Sequence, residues 1–145
     1  MESGIGHNAR VRLKMARGAR GLHPSELAEF TCSSSSAYYD LENVDDEIID
    51  AISFEDFRGL CSRLGITVRW VFNVEESAPR MSWEEFSAKI SAHLKMMDVS
   101  LDEFEDAVGY AIRDAVEISS WIGSWNIDCL QKVCREIGVN WVEMI

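Results

Sequence analysis

The stretch CSSSSAYYDLENVDDE, residues 32–47, sets four serines and two tyrosines directly before five acids. Hydroxyl side chains both donate and accept hydrogen bonds, so such a run can meet base edges or phosphate oxygens with little selectivity. Ionised carboxylates only accept, and beside a phosphate backbone they repel. The stretch therefore reads in two opposite ways, as a surface that touches nucleic acid or as one that keeps it away. Other residues with chemical capacity are dispersed. His7, His23 and His93 stand far apart, no nucleophile, base and orienting group fall in a recognisable spacing, and no glycine loop follows a strand to cradle phosphate. Cys32, Cys61, Cys129 and Cys134 form no CxxC pair, and three of them fall among apolar residues in helical patterns. Buried free thiols are expected rather than disulfides or a metal site. No catalytic residue, metal or cofactor is assigned, and the expectation is a non-enzymatic protein.

The elements that must carry these residues belong to a chain of 145 residues, 47% of them hydrophobic and spread along its whole length, which suits a globular protein. No apolar run approaches the roughly 20 residues that span a bilayer, and the start MESGIGHNAR lacks the apolar core of a secretory signal. A cytoplasmic protein with no membrane partner is expected. The formal net charge of -11 makes duplex DNA repulsive unless cations are concentrated where contact occurs. They are concentrated once. Up to Asp45 five bases face six acids, from Asp46 to Ser77 three face seven, and beyond that six face twelve. The first five, Arg10, Arg12, Lys14, Arg17 and Arg20, lie in a single short segment.

That segment, VRLKMARGARG, predicts a first helix with Val11, Met15 and Ala19 on one side, the basic residues on the others, and Gly21 as its stop. A flexible tail is expected over residues 1–9. HPSELAEF opens a second helix, capped near His23, with Pro24 in the first turn and Glu26 at the positive end of the helix dipole. The serine run predicts a loop ending in an N-cap, followed by a third helix, SAYYDLEN, whose Ala37, Tyr38 and Leu41 face inward. VDDEIIDAI reads as a turn or short extended piece anchored by Ile48, Ile49 and Ile52. SFEDFRGLCSRLGI has a Ser53 cap, an apolar stripe through Phe54, Phe57, Leu60, Cys61 and Leu64, and a closing Gly65. NVEESAPR marks a linker near residues 77–80, after which SWEEFSAKISAHLKMM, SLDEFEDAVGYAI and WNIDCLQKVCREIGVNWVEMI supply further helices. Trp70, Trp83, Trp121, Trp125 and Trp141 are expected in seams between helices, with Trp121 and Trp125 as candidate aromatic anchors for a partner.

The end of the chain echoes its first half. At a shift of 73 residues Phe54, Phe57, Leu60, Cys61, Leu64 and Gly65 fall on Ile127, Leu130, Val133, Cys134, Ile137 and Gly138. At a shift of 77, Leu22, Glu26 and Leu27 fall on Val99, Glu103 and Phe104. The expected architecture is all-α, with two small helix-turn-helix-like domains in tandem over residues 10–77 and 78–145, the second a possible degenerate repeat.

Arg17, Gly21-Leu22, Glu26-Leu27-Ala28, the stretch from Ser34 to Leu41-Glu42, and the Leu60 to Ile66 run ending in Leu-Gly-Ile resemble the helix-turn-helix domain of the Cro and phage-repressor class, the XRE-like family. The resemblance covers residues 10–72. It implies that the third helix lies in the major groove, with Ser34, Ser35, Ser36 and Ala37 at the reading positions, Tyr39 near the sugar-phosphate backbone, and Arg10, Arg12, Lys14 and Arg17 holding phosphates. A homodimer is expected if the site read is a palindrome. The chain departs from the family pattern at Pro24, where a glutamine commonly reaches the operator, at Cys32 and Val44, where glycines close the turns, and at Asp40.

Two functions are therefore expected as alternatives. One is a DNA-binding transcriptional regulator that docks double-stranded DNA through its first domain. The other is an acidic protein-binding inhibitor, such as an antitoxin, immunity protein or antiactivator, which occupies a basic protein partner with a repurposed helix-turn-helix surface. The first requires the serines to be accessible and the arginines to be free of intramolecular carboxylates.

Overall fold

A computed structural model describes residues 3–145, and among them every regular element is an α- or 3-10 helix. The all-α expectation holds. The chain forms two compact units, Met1–Ser77 and Ala78–Ile145.

In the first unit helix α1 spans Ser3–Arg20. It buries Ala9, Leu13 and Ala16, at the i, i+4, i+7 spacing of one helical face, while Val11 and Met15 stand 40% and 61% exposed and Ala19 is exposed too. The side that groups Val11, Met15 and Ala19 is thus not the buried one. Two alanines bring the helix backbone close to its neighbours, and alanine adds little to an apolar pattern read from large side chains. The flexible tail is also corrected for residues 3–9, which are helical; Met1 and Glu2 lie outside the described residues. Gly21 ends the helix at φ +66°.

The second helix, η1, runs Pro24–Thr31 and winds as 3-10 rather than as the expected α-helix. Its start is fixed by a capping box: His23 Nδ1 accepts from the Ser25 amide, and the Glu26 carboxylate accepts from the His23 amide at 2.7 Å. Cys32 and Ser33 follow in the left-handed region, at φ 55° and 61°, where glycine would be at ease. Ser34 then caps α2, Ser35–Asn43, by accepting from the Ala37 amide at 3.1 Å, and Tyr38 and Leu41 point into the core as expected. The VDDEIIDAI segment is not extended: α3 takes up Glu47–Asp50 and buries Ile48 and Ile49. Helix α4, Phe54–Arg63, has the predicted Ser53 cap, apolar stripe and left-handed Gly65, and α5 covers Val68–Val71. Leu13, Leu27, Tyr38, Leu41, Ile48, Phe57 and Leu60 are fully buried, each of the aliphatic and phenylalanine side chains stabilising the fold by about 1.5–3 kcal/mol.

The second unit contains α6 at Trp83–Met97, α7 at Leu101–Val108, α8 at Arg113–Glu117, η2 at Ser119–Ser124, α9 at Ile127–Ile137 and η3 at Trp141–Met144. Its core is Phe86, Ile90, Phe104, Ile112, Ile122, Leu130 and Val133. Helix α8 and η2 had no signal in the sequence, since neither start has a side-chain cap from its own N-cap residue. Glu105 takes that role for α8 from a distance, accepting from the Ile112 amide at 2.7 Å and the Arg113 amide at 3.1 Å.

Candidate functional site

The residues singled out for DNA contact lie on α1 and on α2 with its cap Ser34; the two helices pack on each other, and α2 packs on η1 as well. A bidentate ion pair ties the first helix to the third. Arg17 donates through Nε and Nη2 to the two Glu42 oxygens at 2.5 and 2.8 Å, and through Nη1 to the Leu22 carbonyl at 2.9 Å. Glu42 is buried to 1% exposure. The bonds to Glu42 raise the Arg17 pKa, against the lowering effect of burial. Beside this pair burial pushes the Tyr38 phenol far above its usual range.

Arg10 is engaged in the same manner. Its Nε donates to Asp45 at 2.6 Å and its Nη1 to the Glu42 carbonyl at 3.2 Å, while His7 Nδ1 lies 3.1 Å from the same Asp45 oxygen. Hydrogen bonds from Arg10 and His7 hold the Asp45 carboxyl below the usual carboxylate range. Arg12 donates to the Trp70 carbonyl at 2.7 Å and lies 4.4 Å over the Trp70 ring. Lys14 is exposed and pairs with none of the described residues. Arg10 and Arg17, assigned to phosphate by resemblance, are thus neutralised by Asp45 and Glu42. The requirement for unengaged arginines is not met at these two positions.

On α2 the hydroxyl of Ser34 is held by the Ala37 amide as a cap. Ser35 and Ala37 are half-buried. The exposed stripe is Ser36, Tyr39, Asp40 and Asn43, spaced i, i+3, i+4, i+7, and the turn beyond adds exposed Asp45 and Asp46 and half-buried Glu47. Every charged group on this outer face is a carboxylate. Asn43 Nδ2 donates back to the Tyr39 carbonyl at 2.8 Å, which fixes the end of the stripe. Such a surface accepts hydrogen bonds and attracts cations, and Arg10, which borders it from α1, is already bound to Asp45.

The two tryptophans proposed as anchors part company. Trp121 is 52% exposed on η2 with Ile118 beside it at 55%, whereas Trp125 is 7% exposed and packs edge-on against Phe86 at 6.3 Å. Trp125 is a core residue, because η2 turns it inward against α6. All four cysteines are free, with Cys32 exposed and the other three buried. Burial pushes the thiols of Cys61, Cys129 and Cys134 up to about 12. Among the described residues no cluster of His, Cys, Asp or Glu could hold a metal ion, and no helix is long and apolar enough to cross a membrane. In comparison with known proteins, the chain matches no family model, no curated protein and no solved structure.

Proposed function

We propose that the chain is a non-catalytic protein-binding module, built on a scaffold of XRE-like helix-turn-helix type, whose α2 face occupies a basic surface on another protein. One observation carries this reading: the cations of α1 that border α2 are bound to Glu42 and Asp45, while the outer stripe of α2 and the turn after it present Asp40, Asp46 and Glu47. A phosphate backbone is repelled by such a face, and a cluster of lysines or arginines is attracted. The scaffold reading draws support from Arg17 and Glu42 themselves, two residues that carry the resemblance and that lock the first helix to the third. The second unit reuses local devices of the first, with a Ser100–Glu103 capping box where the first has His23–Glu26, and a left-handed Gly138 closing α9 as Gly65 follows α4. This favours its being a divergent copy.

Regulation through DNA is the second reading, and the exposure of Ser36 and Tyr39 on the first turns of α2 favours it. The two separate on a column of random duplex DNA at low salt. The protein-binding module flows through, and an Asp40→Lys/Asp46→Lys variant is retained in part. Retention of the unaltered protein, eluting along a steep salt dependence, would sink the module in favour of the DNA regulator.

A further inference from the structure

Helix α1 has a second flank. Across the buried stripe from Arg10 and Arg17 it meets α5 and the turn that follows α4, and an open apolar groove of about 370 Å³ lies there. Met15, Ala16 and Ala19 form one wall, and Leu64, Ile66 and Trp70 form the other. The volume is at the lower end of the range of ligand sites. Met15 is 61% exposed, so the groove is an accessible apolar surface on a strongly acidic protein.

Two arginines bracket it. Arg12 stacks over Trp70 and gives its Nε to the Trp70 carbonyl; Arg20 borders the groove and gives its Nε to the Leu64 carbonyl at 3.1 Å. Both are oriented through backbone oxygens, and among the described residues neither guanidinium meets a carboxylate. The contrast with Arg10 and Arg17, on the same helix and each bound to an acid, sets these two apart. Their terminal N–H groups keep the planar fork that matches a carboxylate.

We propose that this groove is a docking surface for an acidic amphipathic helix of a partner protein. An apolar side chain of that helix fills the groove, and carboxylates on either side of it pair with Arg12 and Arg20. The spacing selects the occupant. The two arginines lie eight positions apart on α1, roughly 12 Å of helix rise, which is beyond the reach of one small carboxylate and about two turns of a helix laid along the groove. Complementary charge at both ends sets the register, while the apolar anchor supplies affinity. This surface is distinct from the α2 face and opposite to it in sign, so it stands or falls separately from the function proposed above.

The test uses the full-length protein and two fluorescein-labelled synthetic helices with a central Leu–Phe pair, one flanked by glutamates and the other by lysines, followed by fluorescence anisotropy. The glutamate helix is expected to bind at least about tenfold more tightly than the lysine helix, and to weaken as salt is added. Met15→Glu, at an exposed position, should weaken the glutamate helix, and Arg12→Gln/Arg20→Gln should erase the preference with the circular-dichroism spectrum unchanged. If that double variant unfolds, Met15→Glu and the salt dependence of the unaltered protein decide the outcome. Equal binding of both helices, preference for the lysine helix, or no binding of the glutamate helix at low salt overturns the proposal.

Discussion

Arg17 and Glu42 set the terms for everything around them. A carboxylate at 1% exposure is costly unless its lone pairs are met, and here two N–H groups of one guanidinium meet both oxygens. Removing the arginine leaves that charge buried and alone, so Arg17→Ala is expected to lower stability by about 3–5 kcal/mol in urea unfolding, whereas replacing both residues with apolar side chains of similar volume should cost far less. Arg17→Lys keeps the charge but loses the second hydrogen bond, and should fall between. A loss under about 1 kcal/mol for Arg17→Ala would mean that the pair does not hold α1 to α2. The cysteines divide just as sharply. With three thiols buried and pushed up to about 12, almost no thiolate is present at neutral pH. A colorimetric thiol titration of the native protein should therefore count Cys32 alone, and all four cysteines after denaturation.

Helix α9 shows how one element depends on groups outside it. Asn126 caps it by accepting from the Cys129 amide at 2.7 Å, and Asp128 in its first turn accepts from the Tyr110 hydroxyl at 2.6 Å and lies 3.0 Å from Lys132 Nζ. Burial acts to raise the Asp128 pKa, but the bonds from Tyr110 and Lys132 overcome it and hold the carboxyl below its ordinary range. Because the folded value lies below the unfolded one, the stabilisation is present above the unfolded pKa of about 3.9 and is lost as pH falls through the folded value. Asp128→Asn should therefore destabilise at pH 7 and approach the unaltered protein near pH 2, as read from urea midpoints at the two pH values; an equal deficit at both would refute the linkage.

Helix α4 was legible in the sequence because three local signals agree on it: the Ser53 cap, the large apolar stripe and Gly65. The register of α1 was not, because its buried face is made partly of alanines while Val11 and Met15, the larger apolar residues, line an outer flank. At the candidate site the legible part was that the serine run supplies the cap of α2, and that Tyr38 and Leu41 face inward. The engagement of Arg17 was hidden, since its partner lies 25 positions along the chain and only packing of α1 on α2 brings them together.

At the scale of the molecule charge acts in two directions. Thirteen acids face eight bases up to Ser77, and twelve face six beyond it, so each unit carries net like charge that repels itself. The ion pairs differ in how far salt reaches them: Arg113 joins Asp102 and Glu105, and Arg10 joins Asp45, through an exposed carboxylate or guanidinium, whereas Arg17 and Glu42 are sheltered. Exposed charges are screened over about 10 Å at 0.1 M salt, and the sheltered pair is screened much less. Added salt should therefore relieve more repulsion than attraction, and the thermal midpoint at pH 7 should rise by a few degrees between 10 mM and 200 mM sodium chloride. The same salt weakens the capture of a basic partner by the α2 face, because that attraction lies at an accessible surface. Fold and function then respond to ionic strength with opposite sign. Calorimetry and partner titration across one salt series would read both, and a midpoint that falls with salt would mean that surface ion pairs outweigh the net charge of -11.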